Sequence, residues 1–504
     1  MLMHYALNNY ADVTQLVNDK NYAKNKHILV KEIKSSTIKN ILQDLKDVSN
    51  TDTDWRDKVM DLKRQLSEAK NQPNSKLYLL KYDRKYMEQL GKNESDTSVP
   101  PNDEECCNTK TQNSVKYDCI SKLGMFRSVI TNGNKIYSFA PPKTHEWENF
   151  NLKVSENNDN IFTDSNYQIS KLEEGTMINM FWNETEWEIA TRSNIGARCK
   201  FYKDVPLFRT MFLEAMEACD LDFDMFNTDF SYSWVLQHPK NRIVRKMNKP
   251  QLVLIGVYKF DKFVVKSINP RHRSKYINEN GLNKLNNEKV FIKTPYVYKD
   301  KRNAIEKVLK ATVPYYYMGV MVTNTNTGMR AKIINTKHSH VKELRGNNPR
   351  LQYQYYYLRQ LHLVKETLRY YPEYRKDFAR YREQLHKFTS NLWNNYFSCF
   401  IKKEKPLKEY PREYRAHMFA LHQIYLKSSV DNRTIIKYPV VISYINGLPP
   451  KYIMYSVNYP LYNKHVEDNK HVEDNKLEVT NLESVDNVTE NSTTGNVVDN
   501  PIEV

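Results

Sequence analysis

Residues 167–182, with the sequence YQISKLEEGTMINMFW, decide the fold of this chain. Apolar residues on either side of the polar run Lys171–Thr176 predict a strand, a sharp turn and a second strand. Gly175 supplies the backbone freedom that a sharp turn requires. The stretch Trp187–Ser193 follows at once and predicts another strand that pairs with the second.

A second informative stretch, residues 230–246, has the sequence FSYSWVLQHPKNRIVRK. Its first half alternates between apolar and polar residues, which predicts a further strand. The strand ends in the polar cluster Gln237–Arg242, and another apolar strand is predicted at Leu252–Tyr258.

In this order, the segments resemble the bacteriophage-type ATP-dependent RNA ligases. That family carries a K-x-D-G strand and turn, a downstream lysine–serine or lysine–glycine strand, and an F-x-F-E-F-V…P-x-N-R-I-V strand and loop. Lys171–Thr176 resembles the first segment, Thr191–Ser193 the second and Phe230–Val244 the third. The match at Pro239–Val244 is the most specific, because its spacing and its position after a strand are both kept.

The resemblance implies an α+β fold, in which a nucleotidyltransferase domain of ATP-grasp-like antiparallel sheets precedes an all-helical C-terminal domain. We expect residues 117–340 to form two sheets that line a nucleotide cleft, with Gly175 and Lys332 on facing walls. The expected parts are a helical N-terminal region (1–75), the ligase-like domain (76–340, with a disordered insertion at 92–116), a basic helical domain (341–458) and a disordered acidic tail (459–504).

The resemblance also implies the residues of the site. In the family, a lysine amine attacks the α-phosphate of ATP, carboxylates hold the ribose or a divalent metal, and two lysines of the last strand bind the α-phosphate. ATP and Mg²⁺ are therefore the cofactors of an active enzyme, although no metal ligand can be assigned. The catalytic candidates are Lys171, Glu173 and Glu174. The nucleotide-binding candidates are Arg127, Lys143, Gly175, Arg192, Asn241, Arg242, Arg330 and Lys332.

Three positions depart from the family pattern. Leu172 occupies the place of the nucleophile, one residue after Lys171, and Ser233 and Met318 stand where glutamates are expected. A slip of one residue turns a strand side chain to the other face unless a bulge intervenes. Two functions therefore stay open. One is an RNA ligase-like nucleotidyltransferase that adenylates and joins RNA ends with impaired catalysis; the other is a non-catalytic pseudo-ligase that binds RNA.

Net charge gives independent support for a nucleic-acid partner. Leu461–Val504 contains ten acidic residues and three lysines, a net charge of −7, so the total of +17 leaves +24 on residues 1–460. Such an excess predicts a polyanionic partner, and RNA is the first candidate. A coding sequence rich in A and T, which favours lysine codons, is the alternative explanation.

Cysteine usage and hydropathy predict the compartment. None of the six cysteines forms a C-x-x-C pair, so we expect reduced thiols and no structural metal. The mean hydropathy is −0.74, and no apolar run reaches the length of a membrane span. The N-terminus lacks the pattern of a signal peptide, and the expected protein is soluble and cytoplasmic, without a membrane partner.

Helical periodicity marks both ends of the chain. In the N-terminal region, the spacing of apolar residues predicts helices at 38–48 and 59–66, and Leu77–Tyr82 predicts a first strand. In the C-terminal part, one apolar stripe consists of Phe378, Tyr381, Leu385, Phe388, Leu392 and Tyr396. The tyrosines at 353 and 355–357 have two interpretations, stacking on RNA bases or packing in the helical core.

Overall fold

The computed structural model describes residues 3–34, 59–65, 76–89, 116–202, 205–286, 290–427 and 435–460. The chain divides into two compact units, Met1–Pro349 and Arg350–Val504. Most of the predicted insertion, most of the predicted acidic tail and the predicted helix at 38–48 lie outside the described residues.

The first unit contains all the described strands. They are β1 (Met3–Ala6), β2 (Ile28–Lys34), β3 (Lys76–Tyr82), β4 (Val129–Thr131), β5 (Ile136–Phe139), β6 (His145–Glu146), β7 (Tyr167–Lys171), β8 (Thr176–Trp182), β9 (Trp187–Ala190), β10 (Phe230–Gln237), β11 (Gln251–Asp261), β12 (Val264–Ile268), β13 (Gly319–Asn324) and β14 (Arg330–Ile334).

Helices surround these strands. They are α1 (Val13–Asn18), α2 (Lys20–Asn25), α3 (59–65), α4 (Arg84–Gln89), α5 (116–123), α6 (Trp147–Glu156), α7 (Phe208–Ala218), α8 (Glu279–Asn286), α9 (Lys301–Leu309) and α10 (Thr336–Arg345).

The largest sheet, sheet I, has the strand order β1-β12-β11-β10-β8-β9. Its central strand β10 is buried along its whole length, because both faces are covered. On one face, Tyr232, Trp234 and Leu236 pack with Met211 and Phe212 of α7. The predicted alternation of Phe230–Leu236 is confirmed as a strand, and the turn between β7 and β8 is confirmed at residues 172–175.

Sheet II has the order β6-β14-β13-β7, in which only the β6–β14 pairing is parallel. One face packs Ile169, Val320 and Ile333 against α6 and α9. After β7, the chain leaves sheet II and enters sheet I as β8. Gly175 lies in this crossover with φ +155°, and an added Cβ atom would lie 2.4 Å from the backbone oxygen of Leu236. No other residue type fits this position without a backbone shift.

Sheet III has the order β2-β3-β4-β5. Its strands β4 and β5 are buried on both faces, whereas the edge strand β2 exposes Leu29, Lys31 and Glu32. Leu80 and Val129 face the N-terminal helices, and Leu79 and Ile130 pack against Phe181 of sheet I. The predicted strand at Leu77–Tyr82 is confirmed as β3. Within 3–34, the N-terminal region contains α1 and α2 and also two strands that were not predicted, since β1 joins sheet I and β2 joins sheet III. Their pairing partners lie far along the chain and leave no local pattern.

The described elements of the second unit are all helical. They are α11 (Leu351–Gln360), α12 (Val364–Tyr370), α13 (Arg375–Tyr396), α14 (Arg412–Lys427), α15 (Tyr438–Gly447) and α16 (450–460), with short 3₁₀ and π turns between them. The predicted stripe of α13 is buried except at the half-buried Tyr381. Tyr355 and Tyr356 are 3% and 1% exposed, so core packing accounts for these two tyrosines. Among the described residues, no helix is both long and apolar enough to cross a membrane.

Candidate nucleotide-binding site

A cavity of about 230 Å³, the inter-sheet cavity, lies between sheet I and sheet II. Apolar side chains line much of it, and the crossover residues Lys171, Leu172 and Glu173 line it as well. The cavity lies between two sheets, as expected, but neither Gly175 nor Lys332 lines it, and residues 117–340 also contribute β4 and β5 to sheet III. From sheet I it is lined by Met3, Tyr5, Val235, Ile255, Gly256, Tyr258, Ser267 and Ile268; from sheet II by Gln168, Ser170, Met321, Thr323 and Arg330.

Lys171 and Glu173 form an ion pair in the wall of this cavity. The Nζ atom of Lys171 lies 2.9 Å from Oε1 and 3.0 Å from Oε2 of Glu173, whose side chain is 4% exposed. Burial lowers the pKa of the nearby Lys293, and the positive charge of Lys171 lowers it further against the opposing effect of Glu173. Both oxygens of Glu173 therefore contact a cation of the protein itself.

Glu174 is held by a separate network. Its Oε1 accepts hydrogen bonds from the backbone N–H groups of Val244 (3.1 Å) and Arg245 (3.0 Å). Its Oε2 lies 2.6 Å from Nε2 of His338 in α10, a side chain that is 1% exposed. The carboxylate thus joins the crossover, the loop after β10 and α10, which is a structural role.

Three of the nucleotide-binding candidates belong to the surroundings of Glu174. Gly175, Asn241 and Arg242 line a small pocket together with Glu174. The Nδ2 group of Asn241 donates to Oγ1 of Thr176 at 3.0 Å, and Nε of Arg242 donates to the backbone oxygen of Val244 at 3.0 Å. These contacts fix the loop that follows β10, so the described geometry gives these residues a role in shaping the site.

The other five nucleotide-binding candidates come together as one group, the basic cluster, defined as Arg127, Lys143, Arg192, Arg330 and Lys332. Nε of Arg192 donates to the backbone oxygen of Arg127 at 3.3 Å. Arg330 donates to the backbone oxygen of Pro142 and lines the inter-sheet cavity. Lys332 is paired with Met321, and Arg330 with Thr323, so both cations project on the cavity face of sheet II.

Electrostatics within the cluster is unfavourable without an anion. Burial, together with Arg330 and Arg192, lowers the pKa of Arg127 to about 10. Burial lowers the pKa of Lys143, and the charges of Lys332, Lys116 and Arg127 lower it further. Burial also lowers the pKa of Lys332, which Lys342 and Arg127 lower further; Glu146 opposes the shift in both lysines. Within the described part of the chain, none of the five forms a salt bridge. A bound polyanion would relieve this repulsion.

Two of the positions that depart from the ligase pattern lie away from the cavity lining. Ser233 is fully buried, where its Oγ donates to Oδ1 of Asn179 at 2.8 Å and contacts the backbone oxygen of Phe139 in sheet III. Met318 accepts a backbone hydrogen bond from Asn335. Leu172, by contrast, lines the cavity, so an apolar side chain lies where the resemblance places the nucleophile.

The residues present fit the phosphates of a nucleotide better than they fit a divalent metal. The basic cluster supplies several charged donors beside the cavity, as triphosphate binding requires. Glu173 is paired with Lys171, and Glu174 is bonded by three donors. Among the described residues there is no group of three or more His, Cys, Asp or Glu side chains placed to hold a metal ion.

Several residues of the site were not predicted from the sequence. No motif marks His338 or Gln237, although both contact Glu174. The Nε2 group of Gln237 donates to the backbone oxygen of Glu174 at 2.7 Å. Tyr5 reaches the site through the edge strand β1, and its hydroxyl donates to the backbone oxygen of Gly328 at 3.2 Å. Only contacts across the fold, of up to 323 residues in sequence separation, bring these groups together.

No protein-family model matches the chain, and no curated protein matches it. Among solved structures, the chain is similar to several of Naegleria gruberi RNA ligase. An alanine mutant of that ligase with ATP and Mn aligns with a TM-score of 0.30 and 11% identity over 41% of this chain and 58% of that chain. A second alanine mutant, in the apo form, aligns with a TM-score of 0.29 and 13% identity over 40% of this chain and 58% of that chain. The ligase with PPi aligns with a TM-score of 0.28 and 12% identity over 41% of this chain and 58% of that chain.

These alignments span less than two thirds of the Naegleria chain.

Proposed function

We propose that this chain is an RNA ligase-like nucleotidyltransferase that binds ATP in the inter-sheet cavity and has impaired self-adenylation. The observation that carries the proposal is the basic cluster, five cations that form no salt bridge with any described residue and lie beside a cavity between two sheets. The cavity would bind the nucleoside. Arg330, which lines the cavity, would contact the phosphates, and the phosphate chain would extend toward Arg127 and Lys332. RNA ends are the proposed substrate, and the charge of +24 on residues 1–460 supports this choice.

Lys171 is the candidate amine for covalent adenylation. A nucleophilic amine needs its lone pair, which an ammonium group in a salt bridge does not offer. The contact of Nζ with both oxygens of Glu173 therefore accounts for the impairment in this proposal. The same carboxylate is occupied by Lys171, which leaves Glu173 poorly placed to bind a metal.

A non-catalytic pseudo-ligase is the second candidate function. It is favoured by the engagement of both Glu173 and Glu174 in contacts within the protein and by the apolar Leu172 in the cavity wall. In this case the cleft would hold ATP or an RNA end through the basic cluster, and no covalent bond to the protein would form.

Incubation with ATP labelled at the α-phosphate, followed by denaturation, separates the two functions. The nucleotidyltransferase proposal expects weak label that survives denaturation and disappears in Lys171→Arg, while Lys310→Arg, at an exposed surface pair with Glu306, keeps it. The pseudo-ligase expects no retained label but a higher melting temperature with ATP or with an RNA oligonucleotide. A protein that retains no label and shows no rise in melting temperature would contradict both proposed functions.

A further inference from the structure

A second cavity, the N-terminal cavity, has a volume of about 330 Å³ and adjoins the inter-sheet cavity. It is lined by the N-terminal segment 4–10, by α5 and by the turn between β13 and β14. Its volume falls in the range of cavities that hold small ligands.

The two cavities share part of their walls. Tyr5 and Pro142 line both of them, while Arg330 lines the inter-sheet cavity and Lys143 lines the N-terminal cavity. Arg330 donates a hydrogen bond to Pro142, the residue next to Lys143. Arg127 interacts electrostatically with both Arg330 and Lys143. The basic cluster therefore extends from one cavity to the other.

The lining of the N-terminal cavity combines apolar surface with hydrogen-bonding groups. Tyr10, Ile120 and Met125 supply apolar surface, and Asn9 and Ser121 supply polar groups. This mixture suits a nucleobase, which offers a flat apolar face and a polar edge.

His145 is the buried polar group of this cavity. Its side chain is 2% exposed, its Nε2 lies 3.4 Å from Oγ of Ser121, and its Nδ1 has no hydrogen-bond partner in the part of the chain that the structure describes. Burial and the charge of Lys143 lower the pKa of His145 to about 4, so the ring is neutral near pH 7.

We propose that the N-terminal cavity binds one nucleoside of a single-stranded RNA whose phosphate lies at Lys143 and whose backbone follows the basic cluster toward Arg330. The identity of the ligand as RNA rests on the proposed function. The basic cluster extends between the two cavities, and a ligand with successive phosphates would neutralise its charges along that whole distance. A mononucleotide in one cavity would leave some of these charges without an anion.

The test uses the full chain with Asn9→Trp, which fills the cavity from an exposed position and leaves the basic cluster unchanged. The matched control is Asn25→Trp, the same change at an exposed position of α2 that does not line the cavity. Fluorescence anisotropy gives the Kd of a short oligoribonucleotide, and calorimetry gives the Kd of ATP. We expect Asn9→Trp to raise the Kd of the oligoribonucleotide about tenfold, with the Kd of ATP changed less than about twofold. Asn25→Trp should change neither.

An oligoribonucleotide affinity equal to that of the wild type in Asn9→Trp would overturn the proposal, and so would an equal loss of ATP and RNA affinity. As a measurement that needs no variant, wild-type protein is crosslinked to RNA containing 4-thiouridine, and peptides covering residues 4–10 or 118–125 should carry the crosslink. Crosslinks confined to other peptides would overturn the proposal. If wild-type protein binds RNA in this way but not ATP, the proposed function fails while the RNA site stands.

Discussion

The Nζ atom of Lys171 lies within 3.0 Å of both carboxylate oxygens of Glu173 in the wall of the inter-sheet cavity. The pair links the last residue of β7 to the crossover that enters sheet I. The carboxylate is almost fully buried and the ammonium is partly exposed, so loss of one partner would leave a charge without its counter-ion in the crossover.

Substitution of Lys171 alone should therefore lower the free energy of unfolding more than substitution of both Lys171 and Glu173. We expect Lys171→Met to lower the free energy of unfolding by about 3 kcal/mol, since it leaves a buried carboxylate without its main partner. The double variant Lys171→Met/Glu173→Gln should recover part of that loss. Denaturant unfolding measures both values, and additive effects of the two substitutions would contradict the coupling.

Two glutamate–histidine pairs allow a matched comparison. Glu174 and His338 are both buried, whereas Glu214, which lies 2.9 Å from His238, is 37% exposed. Glu174→Gln should lower the free energy of unfolding by about 2 kcal/mol, because the carboxylate also accepts two backbone hydrogen bonds. Glu214→Gln should cost less than about 1 kcal/mol. Equal losses in denaturant unfolding would show that Glu174 does not join the crossover to α10.

Stability should depend on pH through His145. Its folded-state pKa is about 4, below the value of about 6.5 in the unfolded chain, so the unfolded state binds a proton first as the pH falls. The contribution is fully present above the unfolded pKa and is lost between pH 6.5 and pH 4, by about 3 kcal/mol. His145→Gln should flatten this dependence, and the exposed His272→Gln should leave it unchanged. Identical pH slopes in wild type and His145→Gln would contradict a neutral buried ring.

RNA binding should weaken as salt concentration rises, because phosphate contacts release counterions. Lys332→Met should reduce the magnitude of the slope of log K against log salt by about 0.7, the value of one phosphate contact with a single strand. Lys310→Met, which changes an exposed lysine paired with Glu306, serves as the control and should leave the slope unchanged. Affinity of the wild type that does not vary with salt would contradict phosphate binding by the cluster.

Local patterns explain the parts of the fold and site that the sequence predicted. The alternation of apolar and polar residues along Phe230–Leu236 marks a strand because successive side chains of a strand point to opposite faces of the sheet. The same rule places Arg330 and Lys332 on one face of β14. The contact between Glu174 and His338 spans 164 residues, and no local pattern encodes it. Likewise, Ser233 contacts sheet III and does not line the inter-sheet cavity. The local pattern of β10 predicts a strand, but it does not predict which sheet covers Ser233.

The most direct test of the account is the affinity of ATP for the wild type, Lys332→Met and Lys337→Met, measured by calorimetry without added divalent metal. Lys332 belongs to the basic cluster, whereas Lys337 is an exposed lysine of α10 outside it. The account predicts saturable binding to the wild type, a Kd raised about tenfold by Lys332→Met, and a Kd changed less than about twofold by Lys337→Met. Absence of binding to the wild type, or equal affinity of all three proteins, would contradict a nucleotide site at the basic cluster.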